Sequence, residues 1–204
     1  STLNDGDADL ELVNGSVVYD FFAGMRTKIS SSIYFDAGLS YSREENMPFF
    51  ELDYSSRLKN KFQVLYDDVN HLELDAGLKW DFSSNKGIYL DFVYHSYSLD
   101  SLATYAYKPT LESSFGVFYK IANKIVANTY LKTAFGRSHL ANANDGQQAL
   151  ELDDIIDLDL SLEYKYNKVI SAYLKAQNLI GGYEVWENYS VLSPLFQFSV
   201  SYRY

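Results

Sequence analysis

Taken in steps of two, the stretch from Ile33 to Tyr41 sets Ile33, Phe35, Ala37, Leu39 and Tyr41 on one face and Asp36, Gly38 and Ser40 on the other. That is the period of a strand with one oily side, and a helix cannot use it. The pattern returns in Leu72, Leu74, Ala76, Leu78 and Trp80, interleaved with Glu73, Asp75, Gly77 and Lys79. It returns again in Leu158, Leu160, Leu162, Tyr164 and Tyr166, interleaved with Asp157, Asp159, Ser161, Glu163 and Lys165. About eleven such segments are predicted, near 16–26, 32–42, 49–57, 61–67, 71–82, 88–98, 110–119, 124–136, 155–166, 169–178 and 195–204. In the apolar register of each there is no Asp, Glu, Lys or Arg; the polar exceptions are hydroxyls such as Ser113, Thr129 and Thr133.

The connections sort into two kinds. Thr27–Ser31, Ser83–Gly87, Ile121–Lys124 and Asn167–Lys168 are short and polar, whereas Arg43–Pro48, Asp100–Pro109, Arg137–Asp154 and Leu179–Pro194 are longer. Short and long alternate, which places tight turns at one end of a sheet and elaborated loops at the other. The alternation stumbles only where Arg57–Asn60 is followed by Asp67–Asn70, two short links in succession.

A soluble sandwich also alternates, because each of its sheets buries one face. Strand length argues against it. Soluble strands run five or six residues, while ten residues at about 3.3 Å each, tilted near 40°, rise about 25 Å, the height of an outer-membrane apolar band. The aromatics argue the same way: Tyr41, Trp80, Tyr94, Tyr119, Tyr164, Tyr166, Tyr202 and Tyr204 stand at or near the ends of apolar registers, as in an interfacial girdle. In hydrocarbon every backbone group must be paired within the protein, so strands span only as a closed barrel. The expected fold is therefore all-β, an antiparallel up-and-down transmembrane β-barrel or the C-terminal part of a larger one. Residues 16–204 form its wall, and residues 1–15 an acidic segment or partial strand at Ala8–Val13.

Composition narrows the function classes. The 204 residues are 17% aromatic, with nineteen Tyr and thirteen Phe, residues that favour strands and oil–water boundaries. A net charge of -10 repels a phosphate backbone, so nucleic acid is not an expected partner. Cysteine is absent, which removes disulfides, thiolate metal sites and Cys nucleophiles. No basic and apolar leader opens the chain, so a secretory signal is absent or already removed.

The closing stretch Phe196, Phe198, Val200, Tyr202 and Tyr204 puts an apolar residue at the last position and at every second one before it. It resembles the C-terminal recognition strand of bacterial outer-membrane proteins, and the resemblance implies reading by the barrel assembly machinery and a place in the bacterial outer membrane. The run Ala172-Tyr173-Leu174-Lys175-Ala176-Gln177-Asn178-Leu179, followed by Tyr183-Glu184 and Pro194, is similar to the last hairpin of TonB-dependent receptors. That likeness covers about residues 171 to 204 and includes neither a plug domain nor an energy-coupling box.

Solute passage or uptake is the expected function. Candidate lumen contacts are Glu73, Asp75, Asp91, His95, Lys132, Asp157, Asp159 and Glu163, where charge sets ion or substrate preference. The competing expectation is a non-transporting platform for outer-membrane or periplasmic proteins. Tyr105, Tyr107, Trp186 and Tyr189, in long connections, are candidate grips on a partner. The three histidines, His71, His95 and His139, show no ligand or triad spacing, so neither catalysis, nor a metal, nor a cofactor is expected. Carboxylates at Asp5, Asp7, Asp9 and Glu11 read as a solvated tail rather than a calcium loop.

Overall fold

In the computed structural model of this chain, the described residues are 16–52, 62–143, 146–186, 189–191 and 194–203; the expected acidic segment, the partial strand at Ala8–Val13 and the terminal Tyr204 lie outside them. Among the described residues no helix is long and apolar enough to cross a membrane. Thirteen strands follow one another among the described residues: β1 (Ser16–Ser30), β2 (Ile33–Leu52), β3 (Phe62–Ser83), β4 (Lys86–Leu99), β5 (Leu111–Ile121), β6 (Ile125–Phe135), β7 (Ser138–Ala143), β8 (Gly146–Glu151), β9 (Ile155–Lys165), β10 (Ile170–Gln177), β11 (Glu184–Trp186), β12 (Tyr189–Ser190) and β13 (Leu195–Tyr202).

Nine of them make a single antiparallel up-and-down wall in the order β1-β2-β3-β4-β5-β6-β9-β10-β13. The hairpin β7–β8 grows out of the long link between β6 and β9 and meets β2 through the backbone pair Leu52–Ala141 and the packing of Leu140 on Phe49. The hairpin β11–β12 occupies the link between β10 and β13. Within the described residues the wall does not close, since β1 bonds only β2 and β13 bonds only β10.

The predicted eleven segments become nine wall strands because two predicted breaks are continuous strand. Arg43–Pro48 reads as a polar link, yet β2 runs through it with a bulge between Glu44 and Met47. Its polar groups are met across the ladder: the Arg43 guanidinium reaches the Asp68 carboxylate at 3.1 Å, and the Asn46 amide donates to the same side chain at 3.1 Å. Asp67–Asn70 is strand for the same reason, paired on one side with β2. With both merged, short and long connections alternate from β3 to β13; the predicted link Arg57–Asn60 lies outside the described residues.

The register proves that the apolar positions share one side. Phe21, Ala23 and Met25 of β1 face Tyr41, Leu39 and Ala37 of β2, which face Leu72, Leu74 and Ala76 of β3. The row continues through Tyr94, Phe92 and Leu90 of β4 and reaches Phe196, Phe198 and Val200 of β13, opposite Ala176, Leu174 and Ala172. Hydroxyls on this face satisfy each other, as in the 2.7 Å bond between Ser113 and Thr133. Phe196, Phe198, Val200 and Tyr202 are each more than half exposed.

The other face carries the charges, and it also holds the small core. Phe49, Val69 and Leu140 are buried together at the long-loop end, with Leu65, Tyr97, Leu99, Leu102 and Tyr105 packed against them. Val69, Tyr97 and Leu99 belong to the charged face, so the loop carrying Leu102 and Tyr105 folds over that face instead of standing clear of the sheet.

Candidate functional site

The charged face divides into three groups, each fixed by neighbouring strands. The first lies on β1, β2 and β3. Gly24 and Gly38 are partners across the ladder and floor a hollow of about 480 Å³ walled by Arg26, Asp36, Glu73 and Asp75. Asp75 and Asp36 each seat a carboxylate over the glycine opposite, Gly38 and Gly77 respectively, where any side chain would collide with it. Asp91, one strand further on, accepts a 2.9 Å bond from the Ser114 hydroxyl.

The second group lies on β6 and β9 and is closed over by a loop. Asp157 and Asp159 are 4% and 7% exposed. The Lys132 ammonium sits 2.7 Å from Asp159, whose other oxygen accepts the Asn178 amide at 3.1 Å. Asp157 accepts the amide of Leu158 at 2.8 Å and the Tyr183 hydroxyl at 3.5 Å. Burial, and then the Asp157 charge, raise the pKa of that loop tyrosine, so it remains a donor. These carboxylates are spent on neutralising Lys132 and anchoring the segment after β10. Glu163 keeps only a 3.5 Å pair with Lys165, both partly solvated.

The third group was not legible from spacing. His71 and Glu73 stand two apart on β3, and the ladder sets His95 of β4 directly opposite Glu73. His71 Nε2 and His95 Nδ1 are 3.1 Å apart, and His95 Nδ1 lies 3.4 Å from a Glu73 oxygen. The far nitrogen of His95 faces Glu112 of β5 at 3.7 Å. The rings continue as a stack: His71 on Tyr97 with centroids 4.6 Å apart, Tyr97 on Tyr105 at 4.3 Å, and Tyr105 edge-on to Phe49 at 5.0 Å. The His cluster therefore sits immediately beneath the loop core.

Contrary to the expectation from spacing, His71 and His95 do have a ligand-type neighbour in Glu73. His71, Glu73 and His95 offer donor atoms that all lie within 4.8 Å of one another. The sequence signal was the pair His71-x-Glu73 on one strand face together with a hairpin register that brings His95 alongside.

The loop aromatics separate into two kinds. Tyr105 is taken into the core, where burial, and then Glu44, raise its pKa. Tyr107 stacks on Trp186 at 5.0 Å, and Trp186 approaches Phe50 at 6.0 Å. Tyr189 is 64% exposed. Sequence reasoning missed the residue that holds these loops together: Arg137, 3% exposed, donates to the carbonyls of Asp153 at 3.2 Å, Glu184 at 2.8 Å and Val185 at 2.7 Å. A lone Arg in a link gives no sign that it is buried.

No protein-family model matches the chain, and no curated protein matches it. Solved structures do. The pyoverdine outer membrane receptor FpvA from Pseudomonas aeruginosa PAO1, bound to pyoverdine, is 13% identical with a TM-score of 0.66, over 91% of this chain and 29% of that one. The copper transporter OprC is 13% identical with a TM-score of 0.63, over 91% of this chain and 31% of that one. OmpT of Vibrio cholerae is 13% identical with a TM-score of 0.50, covering 90% of this chain and 56% of that one. The chain thus has the fold of an outer-membrane β-barrel wall, and it spans less than a third of the first two proteins.

Proposed function

We propose that this chain is wall of an outer-membrane barrel that passes or takes up a solute, with its apolar face against lipid and its charged face lining the water-filled interior. The observation that carries this is the division of faces: the ladder aligns every apolar register on one side and Arg26, Asp36, Glu73, Asp75, His95 and Lys132 on the other. From Ile33 to Tyr41, or Leu72 to Trp80, the oily row covers eight steps. At about 3.3 Å each and a tilt of about 40° this rises about 20 Å, most of the apolar height of such barrels. Tyr41 and Tyr94 bound the band at one end and Trp80, Tyr119, Tyr164 and Tyr202 at the other.

In this reading the fixed charges set preference for a solute and no bond is made or broken. Lipid is the constant partner, and the barrel assembly machinery reads β13 during insertion. Energised uptake of the TonB-dependent kind is the finer form of the proposal, supported by the last hairpin and by the likeness in fold to FpvA and OprC.

A second reading, a platform for other outer-membrane or periplasmic proteins, is favoured by the loop core that packs over the charged face around Leu140. Planar-bilayer recording separates the two. A pore gives steady ionic current favouring cations, given the excess of carboxylates; a current-free bilayer with the folded chain inserted overturns the transport reading.

A further inference from the structure

We propose that His71, Glu73 and His95 form a binding site for one divalent transition-metal ion of the zinc or copper kind. The inference uses the reading above only in placing the site on the water-facing side. A first-row ion held by imidazole and carboxylate at about 2.0–2.2 Å spaces its donors about 3.0–3.5 Å apart. The 3.1 Å between the two ring nitrogens and the 3.4 Å between His95 Nδ1 and Glu73 already have that spacing. The remaining pair, His71 and Glu73, lies within 4.8 Å.

The surroundings supply what a ligand set needs. His71, Glu73 and His95 stand on two hydrogen-bonded strands, so their Cβ positions are fixed by the ladder. Glu112 faces the far nitrogen of His95, which favours the N–H there and leaves the Nδ1 lone pair toward the cluster. Tyr97 lies parallel to the His71 ring, 15° from coplanar, and holds its orientation. Two imidazoles and one carboxylate suit zinc, copper or nickel; calcium and magnesium ask for oxygen donors. A hydrogen bond between the two nitrogens, 3.1 Å apart, requires one of them to carry a hydrogen, and that hydrogen must leave for both to bind an ion. The ring–ring hydrogen bond and the metal are therefore alternatives.

The experiment is a zinc titration of the whole folded chain in detergent micelles against a chromophoric chelator, with histidine ring resonances followed by NMR. One ion should bind, the His71 and His95 signals should move, and those of His139 should stay. Glu73→Gln, which keeps shape, should weaken binding at least tenfold, and His95→Gln more; excess calcium should displace nothing. Absence of saturable zinc binding, movement of His139 alone, or displacement by calcium overturns the proposal. Should a histidine variant fail to fold, the wild-type ring shifts decide alone. The titration needs no conduction: a chain that carries current but ignores zinc sinks only this inference, and one that binds zinc but carries none sinks only the transport reading.

Discussion

Gly87 of β4 lies where a methyl group has no room. A Cβ there would come within 2.7 Å of the Trp80 carbonyl oxygen and 2.5 Å of the Phe118 ring, which lies over the glycine from the next strand. Backbone cannot step aside as a flexible side chain can, so Gly87→Ala should cost about 1–3 kcal/mol. Gly24→Ala meets its nearest atom at 3.4 Å, ordinary contact, and should change stability by less than about 0.5 kcal/mol. Urea midpoints of the two variants in micelles check the contrast. Arg137 is the other residue on which much depends, because three carbonyls from two loops converge on it. Burial lowers its pKa, opposed by Tyr183 and Asp154. Arg137→Ala removes three hydrogen bonds from a buried guanidinium that joins two partly exposed loops, a loss on the order of 1–3 kcal/mol. It should open the loops to limited proteolysis while the wall strands stay protected, and unchanged cleavage would contradict the latch.

At the scale of strands, the β3–β4 hairpin shows how much of the site could be read in advance. Leu72 to Trp80 and Ile88 to Tyr94 both have their unbroken apolar register at even numbers. For those registers to share a face, paired residue numbers must add to an even sum, as in Leu74 with Tyr94 or Glu73 with His95. The turn itself starts on an odd sum, Ser83 with Lys86, and a bulge between Asp81 and Ser83 corrects it by one. Periodicity thus demanded a one-residue correction but not its direction, and the direction taken is what sets Glu73 against His95 rather than Tyr97. What it did not contain was side-chain direction: whether His71 leans on Tyr97 or away depends on the loop packed above. The predicted break at Arg43–Pro48 failed for a related reason, since polarity along a strand does not reveal that the neighbouring strand supplies Asp68. A test of the faces belongs to this scale too. Leu74→Arg, at the middle of the apolar row, should cost about 2–4 kcal/mol in folding into vesicles, and Ser199→Arg on the opposite face of β13 close to nothing. Equal costs would mean that the apolar face is not the one in hydrocarbon.

Across the whole molecule, the wall was legible and its furniture was not. The oily and polar faces of the wall and most of its turns follow from a two-residue repeat and turn chemistry, both local properties, whereas the joining of eleven predicted segments into nine strands does not. The hairpins β7–β8 and β11–β12 grew inside predicted loops because their stability comes from distant groups, such as Leu140 against Phe49 and Arg137 against β11. The loop aromatics divide for the same reason, Tyr105 being claimed by Tyr97 while Tyr189 is left outside.

Eight antiparallel pairings in series lead from β1 to β13, so the two margins of the wall point the same way. Joined directly, they would make a parallel seam, and two copies of the wall turned about a common axis would make two such seams. A ring antiparallel throughout is therefore a matter of parity: whatever completes it has to contribute one strand, or three, or any odd number.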